Sequence, residues 1–244
     1  MSIASQRICA WCGPAFMVLF GIGFWAVAGF LPPPSPDASA QEIASLYSEN
    51  TARIRAGLAI TMLAATLLFP WIAVISVQLK RIEGPSTPWA NTQLTAGAVG
   101  FLLFTSPVFI WQTAAYRPDE RSPEMLKMLN DLGWLPFVGI FTPAVAQGVA
   151  IALAILGDKR REPVFPRWVG YFNLWAVVMF MPATALPFFK DGLFAWDGLL
   201  ALWVPIAVFG SWFAITFITL LRAIAAQERE ERLIEGLREQ PQAA

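Results

Sequence analysis

Histidine is absent from the 244-residue chain, and only 14% of the residues carry a charged side chain. Without imidazole, the chain cannot build an imidazole-ligated haem, a conventional catalytic zinc site or a histidine-based catalytic triad. A Gly-rich phosphate loop ending in Lys-Ser or Lys-Thr is also absent. We therefore predict no cofactor and no metal. The sequence leaves enzymatic activity undecided, and these absences weigh against it.

Charge is missing altogether from six long windows of the sequence, the shortest of which has 22 residues. A helix needs roughly 20 apolar residues to cross a bilayer, and a soluble domain usually has about 25% charged residues. The sequence therefore predicts an all-α polytopic membrane protein, a six-helix transmembrane bundle in contact with membrane lipids. The predicted spans cover residues 10–31, 56–79, 93–115, 133–157, 168–189 and 198–222.

The basic residues are distributed unequally between the two sides of the predicted bundle. Eleven of the 17 Lys and Arg residues lie on the side of the chain termini, and six lie on the other side. Because basic loops stay in the cytoplasm, we expect a cell (inner) membrane protein with both termini cytoplasmic. Residues 1–226 then form one transmembrane domain, and 227–244 form a cytoplasmic helical tail. The formal net charge of +0 gives no basis for binding nucleic acid.

The first predicted span has an alternative interpretation. Its apolar run is followed by prolines and then by Ala38, Ser39 and Ala40, a pattern typical of a signal-peptidase site. Cleavage there would leave five spans and an outer N-terminus. The apolar run is longer than the usual 7–15 residues of a signal peptide, which favours a membrane span.

Two outer segments carry helix-start signals. Ser39 and Glu42 fit a capping box, in which each side chain accepts from a free N–H of the first turn. Ser122 is a candidate N-cap, with Pro123 at the first helical position. The sequence predicts two short outer amphipathic helices, the second turning into the fourth span at Gly133. They would act as a lid that seals the bundle or as a gate over an outward cavity.

Prolines occur inside every predicted span from the second to the sixth. Each one removes a backbone donor and clashes with the carbonyl four residues earlier, so proline-kinked spans are expected. Kinked helices leave gaps, which favours an internal cavity lined chiefly by Phe, Trp and Met. The prolines concerned are Pro70, Pro107, Pro143, Pro182, Pro187 and Pro205.

A few neutral polar side chains lie within the spans. A carboxamide in hydrocarbon needs a hydrogen-bond partner, so Gln147 and Asn173 are expected to face the bundle interior. Such residues either join helices to one another or line a binding cavity or pore. The candidate site residues are Gln147, Thr142, Ser106, Thr105, Gln112, Asn173 and Ser211.

These features suggest a protein that binds or transports a small hydrophobic or aromatic molecule in an intrabundle cavity. Kinked spans, neutral polar groups and the absence of charge within the spans all favour this hypothesis. The alternative is a non-catalytic subunit or assembly factor of a larger membrane complex. In that case the charged tail after Arg222 would contact a membrane protein partner.

Overall fold

The computed structural model describes residues 1–239, and within them every side chain except those of Phe104, Arg238 and Glu239. The regular structure in this range is helical, without strands. Six segments are long and apolar enough to cross a membrane, which confirms the predicted six-helix bundle and a multi-pass membrane protein. These segments are Ile3–Val27, Thr51–Glu83, Pro88–Tyr116, Pro123–Leu156, Arg167–Phe188 and Gly192–Leu237.

Several segments consist of more than one helix. The α-helices of the described range are α1 (Ile3–Phe20), α2 (Ala40–Glu49), α3 (Thr51–Ala65), α4 (Leu68–Glu83), α5 (Pro88–Tyr116), α6 (Pro123–Gly139), α7 (Thr142–Leu156), α8 (Arg167–Phe180) and α9 (Val204–Glu239). Short 3₁₀ helices cover Pro118–Glu120, Met181–Phe188 and Gly192–Phe194, and π-helical turns cover Gly21–Val27 and Leu199–Trp203.

The second span is interrupted between α3 and α4 because Pro70 has no N–H. The carbonyl of Thr66, four residues earlier, accepts instead from the N–H of Phe69 at 3.4 Å. The Thr66 hydroxyl donates to the Leu63 carbonyl at 2.7 Å. Pro70 therefore lies in the first turn of α4, where a missing donor is tolerated.

The fourth span breaks completely at Ile140 and Phe141, between α6 and α7. Ile140 leaves the helical region with φ −91° and ψ 89°, and Pro143 lies in the first turn of α7. The proline ring would clash with the Gly139 carbonyl, so α6 ends there. The prediction of a turn at Gly133 is wrong, because α6 runs straight through that residue. Gly133 instead provides the space against which the indole of Trp111 packs.

Both predicted helix starts are present. The Ser39 hydroxyl accepts from the Glu42 N–H at 3.2 Å, and the Glu42 carboxylate accepts from the Ser39 N–H at 2.6 Å. The bond from the Ser39 N–H, and a second that the Ser39 hydroxyl donates to the carboxylate at 2.9 Å, hold the pKa of Glu42 below its usual value. At the start of α6, the Ser122 hydroxyl accepts from the Met125 N–H at 3.3 Å. Helix α2 packs on α6, so the two outer segments with these helix starts contact each other.

The six spans run alternately up and down, so the bundle has two ends. The terminal end carries the start of α1, the turns α4–α5 and α7–α8, and the end of α9. The distal end carries α2 and the start of α6. At the terminal end, α1, α4, α5, α7, α8 and α9 pack side by side. One apolar core fills this half, and a second, rich in aromatic side chains, fills the distal half.

The turn between α7 and α8 is organised around Asp158. Its carboxylate accepts from the Arg160 guanidinium at 3.0 Å and from the backbone N–H groups of Arg160 and Val164 at 3.1 and 2.9 Å. Burial of the carboxylate acts to raise its pKa. The hydrogen bonds, led by the Arg160 side chain, outweigh this effect and lower the pKa of Asp158.

Candidate functional site

A cavity of about 120 Å³, partly open to the surface of the bundle, lies among the helices beside the breaks in the second and fourth spans. Leu68 borders it just after the first interruption, and Ile140 and Pro143 border it at the second. Small residues of α5, namely Ala96, Gly97 and Gly100, leave the space open. Its aromatic walls are Trp71, Phe137, Phe209, Trp212 and Phe213.

A second cavity of about 40 Å³ adjoins the first, between α7, α8 and α9. The two cavities share four lining residues, Ala144, Gln147, Phe209 and Trp212. Together these side chains form the wall between the two spaces. Neither cavity has a charged residue in its lining within the described range, so both suit a neutral occupant.

Gln147 is the polar side chain of this shared wall. Its side chain makes no hydrogen bond to any other residue of the range 1–239, so its carboxamide can donate and accept. The amide nitrogen faces α5, where a Cβ added to Gly97 would lie 3.0 Å from it. Gly97 therefore leaves room for the Gln147 amide between the helices.

Asn173 also lines the smaller cavity, but its hydrogen-bonding groups are occupied. The Asn173 amide donates to the Val169 carbonyl at 2.8 Å, and its side-chain oxygen accepts from the Trp212 indole at 2.9 Å. Asn173 is only 1% exposed. Its role is to hold the Trp212 ring in the wall between the cavities.

Trp71 contributes a large aromatic surface to the main cavity. Its ring stacks on Phe213 with centroids 5.4 Å apart and an interplanar angle of 11°. A Cβ on Gly13 would overlap its benzo edge, so α1 packs tightly on this ring. The buried indole N–H has no hydrogen-bond partner among the described residues. Because buried indoles usually find an acceptor, this N–H is a second unused donor beside the cavity.

The other five predicted site residues line neither cavity. Three hydroxyls donate within their own helix, Thr105 to Phe101 at 3.1 Å, Ser106 to Leu102 at 2.6 Å and Ser211 to Val208 at 2.8 Å. Gln112 joins two helices, since its amide donates to the Arg55 carbonyl at 3.0 Å. Thr142 is exposed at the start of α7. The structure thus brings only Gln147 and Asn173 together.

A second polar site, at the terminal end, was missed from the sequence. Gln6, Gln78 and Gln227, here called the amide cluster, come from α1, α4 and α9. The Gln78 amide donates to Gln6 at 2.6 Å and to Gln227 at 2.8 Å. Arg81 donates to Gln78 at 2.7 Å and to Glu230 at 2.7 Å. Gln6 and Gln78 are fully buried, so this network stabilises the terminal end.

The first turns of the tail belong to the same network. Glu228 accepts from Arg7 of α1 at 2.7 Å and from Arg232 at 2.6 Å. The four-residue spacing of Glu228 and Arg232 is typical of an ion pair on one helix face, whereas the contact with α1 joins distant parts of the chain. Residues 240–244 of the predicted tail lie outside the described range. Comparison of the chain with protein-family models, curated proteins and solved structures finds no match.

Proposed function

We propose that this protein binds a small, neutral, aromatic or hydrophobic molecule in the paired cavities. Binding there would allow the protein to transport the molecule across a cell membrane or to sense it. The observation that carries the proposal is the unpaired Gln147 carboxamide in the wall between two aromatic cavities. Gln147 is half-buried, so its carboxamide is accessible from the cavities and is not sealed in hydrocarbon. A ligand with one hydrogen-bonding group would give it the partner that it lacks.

The helix breaks support this location for a binding site. Non-helical backbone at membrane depth is tolerated where protein or a cavity surrounds it. Interrupted spans commonly meet at the substrate site of a membrane transporter. Here both the Thr66–Leu67 and the Ile140–Phe141 interruptions adjoin the main cavity.

The dimensions and lining narrow the class of ligand. An apolar cavity of about 150 Å³ can bind benzene, so the main cavity suits one small ring. Trp71, Trp212 and Phe213 provide flat apolar faces for such a ring. In the proposed orientation both termini are cytoplasmic, in line with the excess of Lys and Arg at the terminal end.

The test uses the full chain purified in mild detergent, with pyrrole as the probe because it combines one small aromatic ring with one N–H donor. Pyrrole is expected to raise the melting temperature of the parent protein and to lose most of this effect in Gln147→Leu. The matched control is Gln112→Leu, which removes another intramembrane amide away from both cavities. An equal response to pyrrole in Gln147→Leu and in the parent would refute the proposal.

A second candidate function is that of a subunit or assembly factor of a membrane complex. Helix α9 continues past the bundle, and its side chains Leu233, Ile234 and Leu237 are 69%, 51% and 70% exposed. Exposed apolar side chains in water favour a protein partner. Truncation after Arg232 spares the contacts of Gln227, Glu228 and Glu230 within the bundle. This truncation is expected to release a partner that copurifies in mild detergent; an identical lone monomer before and after truncation argues against it.

A further inference from the structure

Three arginines converge on the end of α5 at the distal end of the bundle. The guanidinium carbons of Arg55 and Arg117 lie 5.8 and 5.2 Å from the ring centroid of Tyr116. Arg121 donates to the carbonyl of Thr113, one turn before Tyr116. We call Arg55, Arg117 and Arg121 the distal arginine cluster.

The backbone fixes this arrangement. Arg55 belongs to α3, and its carbonyl accepts from the Gln112 amide of α5 at 3.0 Å. Tyr116 lies four residues after Gln112, on the same side of α5. Two neighbouring spans thus hold the Arg55 and Arg117 side chains around one exposed aromatic ring.

The positive charge of the cluster is poorly balanced. Arg117 contacts Glu120 at 3.5 Å, but the two side chains are 57% and 68% exposed, so solvent screens this pair. In residues 1–239, neither Arg55 nor Arg121 forms an ion pair. Arg55 and Arg117 both lie beside the Tyr116 ring, and an anion bound there would balance their charge.

An apolar surface continues from the cluster along the two spans. On α3, Ala56, Ala59 and Leu63 are exposed, Leu63 to 72%. On α5, Phe109 is 61% exposed, two turns before Tyr116. Because α3 and α5 pack against each other and belong to two of the candidate spans, we expect these exposed side chains to contact lipid.

We propose that this surface binds an anionic phospholipid. Arg55 and Arg117 hold its phosphate, since guanidinium groups match the geometry of phosphate oxygens. The acyl chains lie along Ala56, Ala59 and Phe109. The site lies at the distal end and is independent of the proposed ligand cavity.

The test compares three forms of the full chain in detergent micelles: the parent, Arg55→Gln with Arg117→Gln, and Lys159→Gln with Arg161→Gln. The last removes two exposed charges from the terminal end and serves as the matched control. Phosphatidylglycerol is titrated against phosphatidylcholine, with native mass spectrometry and melting temperature as readouts. We expect the distal double variant to bind phosphatidylglycerol about tenfold more weakly and the control to bind it normally.

Two further measurements make the outcome decisive. If the double variant folds poorly, the single variant Arg117→Gln, at an exposed position, takes its place. It should show an intermediate loss of affinity for phosphatidylglycerol. Inorganic phosphate alone should neither raise the melting temperature nor displace the lipid. Equal stabilisation by both lipids, equal loss in the control variant, or full competition by inorganic phosphate would each overturn the lipid site.

Discussion

Glutamine side chains lie between helices at two levels of the bundle, and their surroundings differ. At the terminal end, Gln6, Gln78 and Gln227 satisfy one another and Arg81 at distances of 2.6 to 3.2 Å. In the middle of the bundle, Gln147 has the same carboxamide but makes no hydrogen bond within the described range. One residue type therefore joins helices at one level and faces a cavity at the other.

Helix continuity explains this difference. Near the terminal end, α1, α4 and α9 run uninterrupted and bring three amides into direct contact. Beside Gln147, the breaks in the second and fourth spans and the missing side chains of the α5 glycines leave the space of the main cavity. A buried amide with partners stabilises the fold, whereas an unpaired one beside a cavity is available to a ligand.

Replacing Gln78 should have the largest effect. Gln78→Leu leaves Gln6, Gln227 and Arg81 without their shared partner, so the free energy of unfolding should fall by about 2–4 kcal/mol. Thermal or denaturant unfolding in detergent measures this loss. Gln112→Leu, which removes a single interhelical hydrogen bond, is the control and should cost about 1 kcal/mol. Similar losses in the two variants would contradict a cooperative amide cluster.

Asp158 tests whether the terminal end also depends on a paired charge. Asp158→Asn should cost about 2 kcal/mol near pH 7, because the carboxylate accepts charge-assisted hydrogen bonds. The pKa of Asp158 is lowered in the folded state. Its stabilisation is therefore complete above the unfolded pKa of about 3.9 and lost as pH falls through the folded pKa.

The readout for Asp158 is the difference in melting temperature between the parent and Asp158→Asn, followed from pH 7 to pH 3. This difference should stay constant down to about pH 5 and shrink below about pH 4. A difference that does not depend on pH would mean that the ionised form of Asp158 has no special role in the turn.

Two glycines of α5 allow a test of the packing around the cavity. In Gly97→Ala the new Cβ would lie 2.7 Å from the Ile72 side chain and 3.0 Å from the Gln147 amide, so a loss of about 1–2 kcal/mol is expected. Gly100 lines the same cavity, but an added Cβ there meets nothing within 4 Å. Gly100→Ala should therefore gain up to about 1 kcal/mol in helix stability. Equal behaviour of the two variants in unfolding experiments would show that the space at Gly97 is not required.

Gln147 should give the smallest change in stability, despite its central position. Gln147→Leu removes an amide that has no partner. The free energy of unfolding should therefore rise or fall by no more than about 0.5 kcal/mol. Unfolding of Gln147→Leu and Gln78→Leu side by side measures the contrast directly. A loss as large as that of Gln78→Leu would mean that Gln147 is a structural residue.

Much of the architecture could be predicted from local patterns. Charge-free windows located all six spans, and Ser39 and Ser122 marked the helix starts that the structure contains. The proline at 143 indicated a disturbed fourth span but not a break at Ile140. Sequence reasoning failed at Gly133 because a glycine needed for close packing looks the same as one needed for a turn.

The sequence alone determined that this chain lies in a membrane, because the absence of charge over a helix long enough to cross lipid is a local property of the chain. Tertiary structure alone decided which polar side chains meet. Gln6 and Gln227 are 221 residues apart in sequence and form a hydrogen bond at 3.2 Å. Among the seven candidate site residues, the rotation of the helices about their axes placed only Gln147 and Asn173 at the cavities. This rotation depends on packing between distant segments, which no local pattern of the sequence specifies.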